Sequence, residues 1–440
     1  VTDSYNSFGL IERRQRSAIT LEEVREIFTG PFPNPGSFLA FGNGKSYGDT
    51  CHNDLGTLVV MRGSDELVSF DSATGLLTAK TGILLSEMIA IGAEHGYFLP
   101  VTPGTRFVTL GGAIANDVHG KNHHRRGTFG CHVKRFELLK SDGLVIECSP
   151  VSNPMLFKAT IGGMGLTGII LEATIQLMKV GSLDIVERIQ PFGDLDEYFS
   201  LAEEVDEDNE YAVAWVDQIG SGTYAGRGVL ISGNHSDNGN FAVRTKAGRL
   251  GVPFELPISA LNYPSLKLFN AAYYHLKGRK QQPHLSNYES FFYPLDRVSN
   301  WNRLYGRAGL YQHQSLLPEK AAQAIIPQML KVTREAGQSS FLTVLKRFGD
   351  IKSPGSLSFP HAGYTLTVDF PNRGARTLAL LGELDRMTIM NGGRVNPYKD
   401  QRMSAEAFKA GYPNWTKLEQ ERDPAINSNF WRRTALAGSV

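Results

Sequence analysis

The run GMGLTG, Gly163 to Gly168, matches the dinucleotide fingerprint G-x-G-x-x-G letter for letter, but its flanks are reversed. That fingerprint works because a strand enters the glycines and a helix leaves them, so that the helix N-terminus faces the pyrophosphate. Here the preceding PMLFKATIG reads as a helix, and the following GIILEATIQL is β-branched and reads as a strand. The run is therefore read as a helix-to-strand turn in which glycines let backbones approach closely. A second phosphate motif also fails. Gly44, Lys45 and Ser46 spell GKS, but a P-loop needs a glycine at position 39, which is Leu39. The residues that follow, YGDTCHNDLG, do not open an amphipathic helix either.

Taken together, the glycine loops point to a different solution. GNGKSYGD (Gly42 to Asp49), PGTRFVTLGGAIANDVHGKNHH (Pro103 to His124) and GGMGLTG (Gly162 to Gly168) combine little side-chain bulk with many amide donors. Backbone N–H nests bind anions without any helix, so these loops suit a bent dinucleotide held between domains.

The remaining pattern is α+β. ITLEEVREIFTG reads as a helix with Thr20 as N-cap and Gly30 beyond its end. LVSFDSATGLLTAKTG reads as a hairpin, and VKRFELLKSDGLVIECS as two strands around an Asp-Gly turn. Beyond about residue 180, long antiparallel strands are expected, with LYQHQSLLP, FLTVLKRFGD and GYTLTVDFP in one sheet. ARTLALLGELDRMTIMNGG reads as a helix, and a polar helical tail follows. The expected division is residues 1–180, residues 181–393 with a lid near 251–283, and a returning segment 394–440.

Charge excludes one class of partner. Lys and Arg total 45 against 44 Asp and Glu, without the basic excess of a nucleic-acid binder. Three cysteines, Cys51, Cys131 and Cys148, with no CxxC spacing, argue against a disulfide framework or a zinc-thiolate site and for a reducing compartment. His119, His123 and His124 have no carboxylate or cysteine at useful metal-ligand spacing nearby. The N-terminal VTDSYNSFGLIERR lacks the apolar core of a signal peptide, and no apolar run is long enough for a membrane span. A cytoplasmic protein, or one peripheral at a membrane surface, is expected.

GNGKSYGD, PGTRFVTLGGAIANDVHGKNHHRRGTFG, TIGGMGLTG, FFYPLD, WNRLYG, YQHQ, TVDFP and GGRVNPYKDQR occur in an order that resembles the vanillyl-alcohol-oxidase (PCMH-like) type of FAD-binding fold. Within it, the chain resembles the decaprenylphosphoryl-β-D-ribose 2′-oxidases, the flavin half of a 2′-epimerase. The resemblance runs over nearly the whole chain and implies a two-domain flavoprotein with an antiparallel-sheet substrate domain. Many relatives in the wider fold attach the flavin covalently to a histidine just before the serine of the first loop. Lys45 stands there, so FAD is expected to be non-covalent. Carried over position by position, the FAD contacts are Gly42, Gly44, Lys45, Ser46, Tyr47 and Gly48, then Pro103, Gly104, Thr105, Gly111, Gly112, Asn116 and His119, and finally Ile169 and Ile170.

The implied reaction is hydride transfer from a sugar carbinol to flavin N5, which needs a group to manage the hydroxyl proton. Lys399 in YKDQR is the first candidate, as base or as the charge beside the reduced flavin; His119 is the second. Lys121 matches a pocket position suited to the substrate phosphate. Gln312 and Gln314 alternate along one strand and so share a face; with Tyr293, Tyr47 and Asn396 they are expected to line the sugar site, and Trp215 to form an apolar wall. Asp369 and Thr367 share another strand face. Mycobacterial members carry a cysteine at the Thr367 position, and relatives often carry tyrosine where Asn396 stands. The aromatic, basic span Gly251 to Pro283 is expected to be a mobile lid suited to a lipid phosphate at a membrane surface. Because the chain has no nicotinamide fingerprint, a separate NAD(P)H-dependent keto-sugar reductase is the implied partner. Two other readings stand beside this one: an alditol or sugar-lactone oxidase that uses oxygen, and a flavoprotein that binds a sugar phosphate or lipid without turnover.

Overall fold

Thr20 closes a short strand, Ala18–Thr20, and starts the helix Leu21–Phe28. Its side chain accepts from the Glu23 amide while the Glu23 carboxylate accepts from the Thr20 amide, which makes a capping box. The helix buries Leu21, Val24 and Phe28 against a parallel sheet ordered Ala18–Thr20, Thr57–Val60, Phe38–Phe41. The computed structural model describes residues 5–243, 250–257, 259–280 and 282–438.

A second, five-stranded antiparallel sheet holds Leu67–Asp71, Leu76–Lys80, Ile169–Gln176, Val133–Leu139 and Val145–Cys148, in that order. Both expected hairpins are present. The helix Pro154–Thr160 enters GMGLTG and the strand Ile169–Gln176 leaves it, so this glycine run is a helix-to-strand turn.

The third sheet is antiparallel and eight-stranded, ordered His284–Ser286, Ile185–Phe192, Gly228–His235, Tyr211–Val216, Thr343–Phe348, Gly363–Pro371, Leu310–Leu317, Arg394–Val395. Helices Leu195–Asp208, Glu319–Glu335 and Ala375–Met390 cover one face, packing Phe199, Ile326 and Leu384 against Leu345, Leu366 and Val368. The alternate residues on these strands face the other way, toward a cavity.

The span 251–283 contains the helix Tyr263–Gly278, whose N-cap Asn262 accepts from the Ser265 amide. It packs over the strands Ile185–Phe192 and Gly228–His235, with Asn270 donating to Asp217 and the Tyr273 ring 4.7 Å from Trp215. Ile258 and Gln281, inside the expected lid, lie outside the described residues.

The segment beyond Val395 packs into the core of the first sheet, where Phe408, Phe430 and Trp431 join Leu21, Phe38 and Leu58. Phe38 donates its amide to Ala425 and accepts from the amide of Asn427. A line of alternating charges ties the parts together. Arg433 bridges Asp49 at 2.8 Å and Asp400 at 2.7 Å, and Arg402 faces Asp400 through Nε at 3.7 Å and donates to Asp385 through both terminal guanidinium nitrogens. Cys51, Cys131 and Cys148 are free thiols. Among the described residues no helix is long and apolar enough to cross a membrane.

Candidate active site

A cavity of about 670 Å³ lies between the glycine loops, the open face of the eight-stranded sheet and the segment Asn396–Lys399. On the loop side it is lined by backbone. Among the described residues, the amides of Asn43, Gly44, Lys45 and Ser46 donate to no backbone acceptor, as an anion-binding nest requires. Gly44 sits at φ +59°, and a Cβ on Gly42 would lie 2.5 Å from Thr109 Oγ1. Gly104 and Gly165 serve differently: both line the cavity, and a Cβ on either would meet no protein atom within 4 Å. Asn43 Nδ2 donates to the Phe107 carbonyl at 2.6 Å and ties the first loop to the second. This wall of free amides and bare glycines fits the phosphates of a dinucleotide.

The sheet side is lined by side chains. Gln312 and Gln314 share the cavity face, as alternation requires. Gln314 pairs across the ladder with Thr367 and Gln312 with Asp369, while Lys346 pairs with Thr365 and Val344 with Thr367. Asn396 Nδ2 donates to Gln314 Oε1 at 2.8 Å, and Gln312 Nε2 donates to Asp369 Oδ1 at 2.6 Å. His119 contacts Gln314 and Lys346 through its two ring nitrogens, each at 3.2 Å. Trp215, Phe269, Tyr273, Phe341 and Leu342 line an apolar end under the helix Tyr263–Gly278.

Enclosure displaces the titrations of these groups. Burial lowers Lys399 to about 8, with Asp369 opposing. It lowers Lys121 to about 8 and, with Lys399 and Lys121 as neighbouring cations, Lys346 to about 7. Burial raises the Asp369 carboxyl to about 7 against Gln312 and Lys399. His119 is driven well down by burial and by Lys346. Lys399 Nζ lies 4.3 Å from the centre of the Tyr47 ring, a cation–π contact that fixes the amine. Lys121 donates to the Phe291 carbonyl and lies 4.5 Å from that ring.

The cavity brings together Gly42, Gly44, Lys45, Ser46, Tyr47, Pro103, Gly104, Thr105, Gly111, Gly112, Asn116, His119, Lys121, Ile170, Trp215, Gln312, Gln314, Thr367, Asn396 and Lys399. Four expected residues stand outside its lining. Gly48 packs on the neighbouring segment, where a Cβ would fall 1.4 Å from the Asp400 carbonyl oxygen; its bare backbone serves that contact. Ile169 alternates away from Ile170 and enters the core of the first sheet. Tyr293 is fully buried, and its hydroxyl bonds Thr102 Oγ1 at 2.5 Å, so Thr102 meets the cavity in its place. Asp369 lies behind Gln312 as a buried carboxyl. Lys346, Thr102 and Asp296 line the cavity without having been singled out in the sequence. For Lys346 the sequence carries half a signal: alternation along a readable strand groups it with Val344 and Phe348 on one of two faces.

Residues 20–149 match the model of the FAD binding domain family. Over 416 residues the chain is 35% identical to the decaprenylphosphoryl-β-D-ribose oxidase of Mycolicibacterium smegmatis, covering 90% of this chain and 89% of that protein. It is 32% identical over 379 residues to an uncharacterized protein of Streptomyces coelicolor, covering 80% of this chain and 100% of that one. Similarity to the L-gulonolactone oxidase of Mus musculus, 30% over 170 residues, covers 39% of this chain and 38% of that enzyme. The chain belongs to the decaprenylphosphoryl-β-D-ribose oxidase family of FAD-dependent oxidoreductases, and FAD is its cofactor.

Proposed function

We propose that this enzyme oxidises the 2′-hydroxyl of a polyprenylphosphoryl-β-D-ribose to the 2′-keto sugar, the first half of an epimerisation to the arabinose form that serves arabinan and cell-wall synthesis. The observation that carries this reading is the two-ended cavity. Its polar end offers Gln312, Gln314, Asn396 and Thr367 to a sugar, and its apolar end offers Trp215, Phe269, Tyr273 and Phe341 to a lipid. Buried polar side chains need partners, and sugar hydroxyls supply them. The full-length similarity favours this substrate over a lactone or alditol, because the lactone oxidases match over less than half of the chain.

Bound FAD, held non-covalently along the Gly42–Ser46 and Pro103–His119 loops, supplies a hydride acceptor. The protein's own groups bind, orient and manage protons. Lys121 binds the substrate phosphate, its ammonium already oriented by the Phe291 carbonyl. Lys399, set on Tyr47 and paired electrostatically with Asp369, remains largely protonated near neutrality and places positive charge beside the site. His119 fixes the polar wall through Gln314 and Lys346. The helix Tyr263–Gly278 acts as a lid at a membrane surface, and a separate NAD(P)H-dependent reductase completes the epimerisation.

The test is anaerobic mixing of the yellow protein with a short-chain polyprenylphosphoryl ribose. Bleaching of the flavin band is expected. Absence of bleaching, with alditols or lactones bleaching it instead, would overturn the reading.

A further inference from the structure

One hydrogen-bond chain in the polar wall has its direction fixed at one end. The Tyr398 amide donates to Asn396 Oδ1 at 3.0 Å. A backbone N–H is always a donor, so Asn396 must turn its NH₂ outward, and Nδ2 donates to Gln314 Oε1 at 2.8 Å. Gln314 then presents its own NH₂, with Nε2 3.0 Å from Thr365 Oγ1 and 3.2 Å from His119 Nε2. An amide nitrogen offers no lone pair. His119 Nε2 is therefore the acceptor, and the imidazole proton sits on Nδ1. That nitrogen lies 3.2 Å from Lys346 Nζ. An N–H facing an ammonium is a donor against a donor, so the contact is a hydrogen bond only when Lys346 is a neutral amine.

Electrostatics lead to the same state by a separate route. The charged and titratable groups facing Lys346 are Lys399 and Lys121 from the neighbouring walls and His119 and His123 from the loop; the Phe348 ring lies 5.9 Å away, at the far limit of a cation–π contact. None of them is a carboxylate. Lys399 has Asp369 as its electrostatic partner, and Lys121 has the Phe291 carbonyl and Glu187.

We propose that Asn396, Gln314 and His119 are positioning residues that hold Lys346 as the neutral amine of the cavity, and that Lys346 takes up the proton of the sugar hydroxyl. The proton-acceptor role rests on the reaction proposed above; the wiring does not. In that reaction the carbinol hydrogen would leave with the C–H bond pair for the hydride acceptor. The O–H bond pair stays to complete the C=O, and the proton goes to the Lys346 lone pair. The new ammonium then faces the His119 Nδ1–H, so the chain favours release of the proton and restores the resting state.

The wiring is tested by NMR of the FAD-loaded protein with ¹⁵N-labelled histidine and ¹³C,¹⁵N-labelled lysine, with Lys346→Met assigning the signal. The Nδ1–H tautomer of His119 and a neutral Lys346 at pH 8 are expected. An Nε2–H tautomer, or an ammonium at pH 8, would overturn the proposal. Asn396→Asp removes the donor, so Gln314 should reverse, the tautomer should move to Nε2–H, and Lys346 should titrate about one pH unit or more higher. Added negative charge alone would raise Lys346 without moving the tautomer, and that outcome also counts against the wiring. Gln314→Glu makes the same demand on His119 and serves if the first variant does not fold. For the acceptor role, flavin bleaching should show an acid limb near pH 7 that Lys346→Met abolishes, together with about a 100-fold loss of rate. A limb retained in that variant overturns the role. If polyprenylphosphoryl ribose bleaches nothing at any pH, the reaction and the acceptor role both fall, and the tautomer result still decides the wiring.

Discussion

The two sides of the cavity are polar in different ways. The loop side offers backbone from short stretches, Gly42 to Ser46 and Pro103 to Gly112, and depends on side chains being absent. The sheet side offers side chains from positions 215, 312, 314, 346, 367 and 396, brought together by strand register, with Asn396, Gln314 and Lys346 linked to one another directly or through His119. A backbone surface tolerates changes of chemistry and fails on added bulk. A side-chain network tolerates little change of chemistry, because each amide sets the orientation of the next.

Four substitutions separate these behaviours, from the largest effect to the smallest. Gly48→Ala would place a methyl 1.4 Å from the Asp400 carbonyl oxygen; destabilisation by about 4 kcal/mol or more is expected in denaturant unfolding, with loss of bound flavin. Lys399→Met should leave the fold intact and slow flavin reduction about 10²–10³-fold in stopped-flow mixing, the loss expected when one electrostatic stabiliser is removed; an unchanged rate would confine the chemistry to the sheet side.

Lys346→Met should stabilise the protein, with a defined pH dependence. The amine titrates near 7 when folded, against an ordinary 10.5. The folding penalty is absent above about pH 10.5, grows as pH falls, and is complete below 7. A gain of about 2–4 kcal/mol at pH 7 that fades toward pH 10.5 is expected in thermal melts. Gly104→Ala is the mildest, because its methyl would meet no protein atom within 4 Å. Apoprotein stability should change by less than about 0.5 kcal/mol, while FAD retention on dilution weakens. Equal losses at Gly48 and Gly104 would erase the distinction between glycines kept for packing and glycines kept for the ligand.

The same contrast explains what could be read without coordinates. The loop side was legible because its signal is contiguous: the reversed flanks of GMGLTG identified a helix-to-strand turn, and most of the residues assigned to the cofactor loops do line the cavity. Gly48 stands outside that lining, and a glycine packed on a neighbouring backbone looks the same in sequence as one kept for a phosphate. On the sheet side, alternation placed Gln312 and Gln314 together. It could not say that Asp369 would be screened behind Gln312, or that Tyr293 would point into the core toward Thr102. Lys346 passed unnoticed because period-2 alternation divides a strand into two faces without saying which of Lys346 and Arg347 meets the cavity; only pairing with Thr365 decides it.

The bridge from Asp49 to Arg433 spans 384 positions, and the strand that carries the first glycine loop is bonded at Phe38 to residues 425 and 427. At about 5–20 residues per second, a ribosome needs roughly 20–80 s to add that interval. Throughout it the loop lacks these C-terminal partners. The first glycine loop thus takes its final setting only after the segment near Arg433 has been made, so the site is completed at the end of synthesis although its first residues are made at the start.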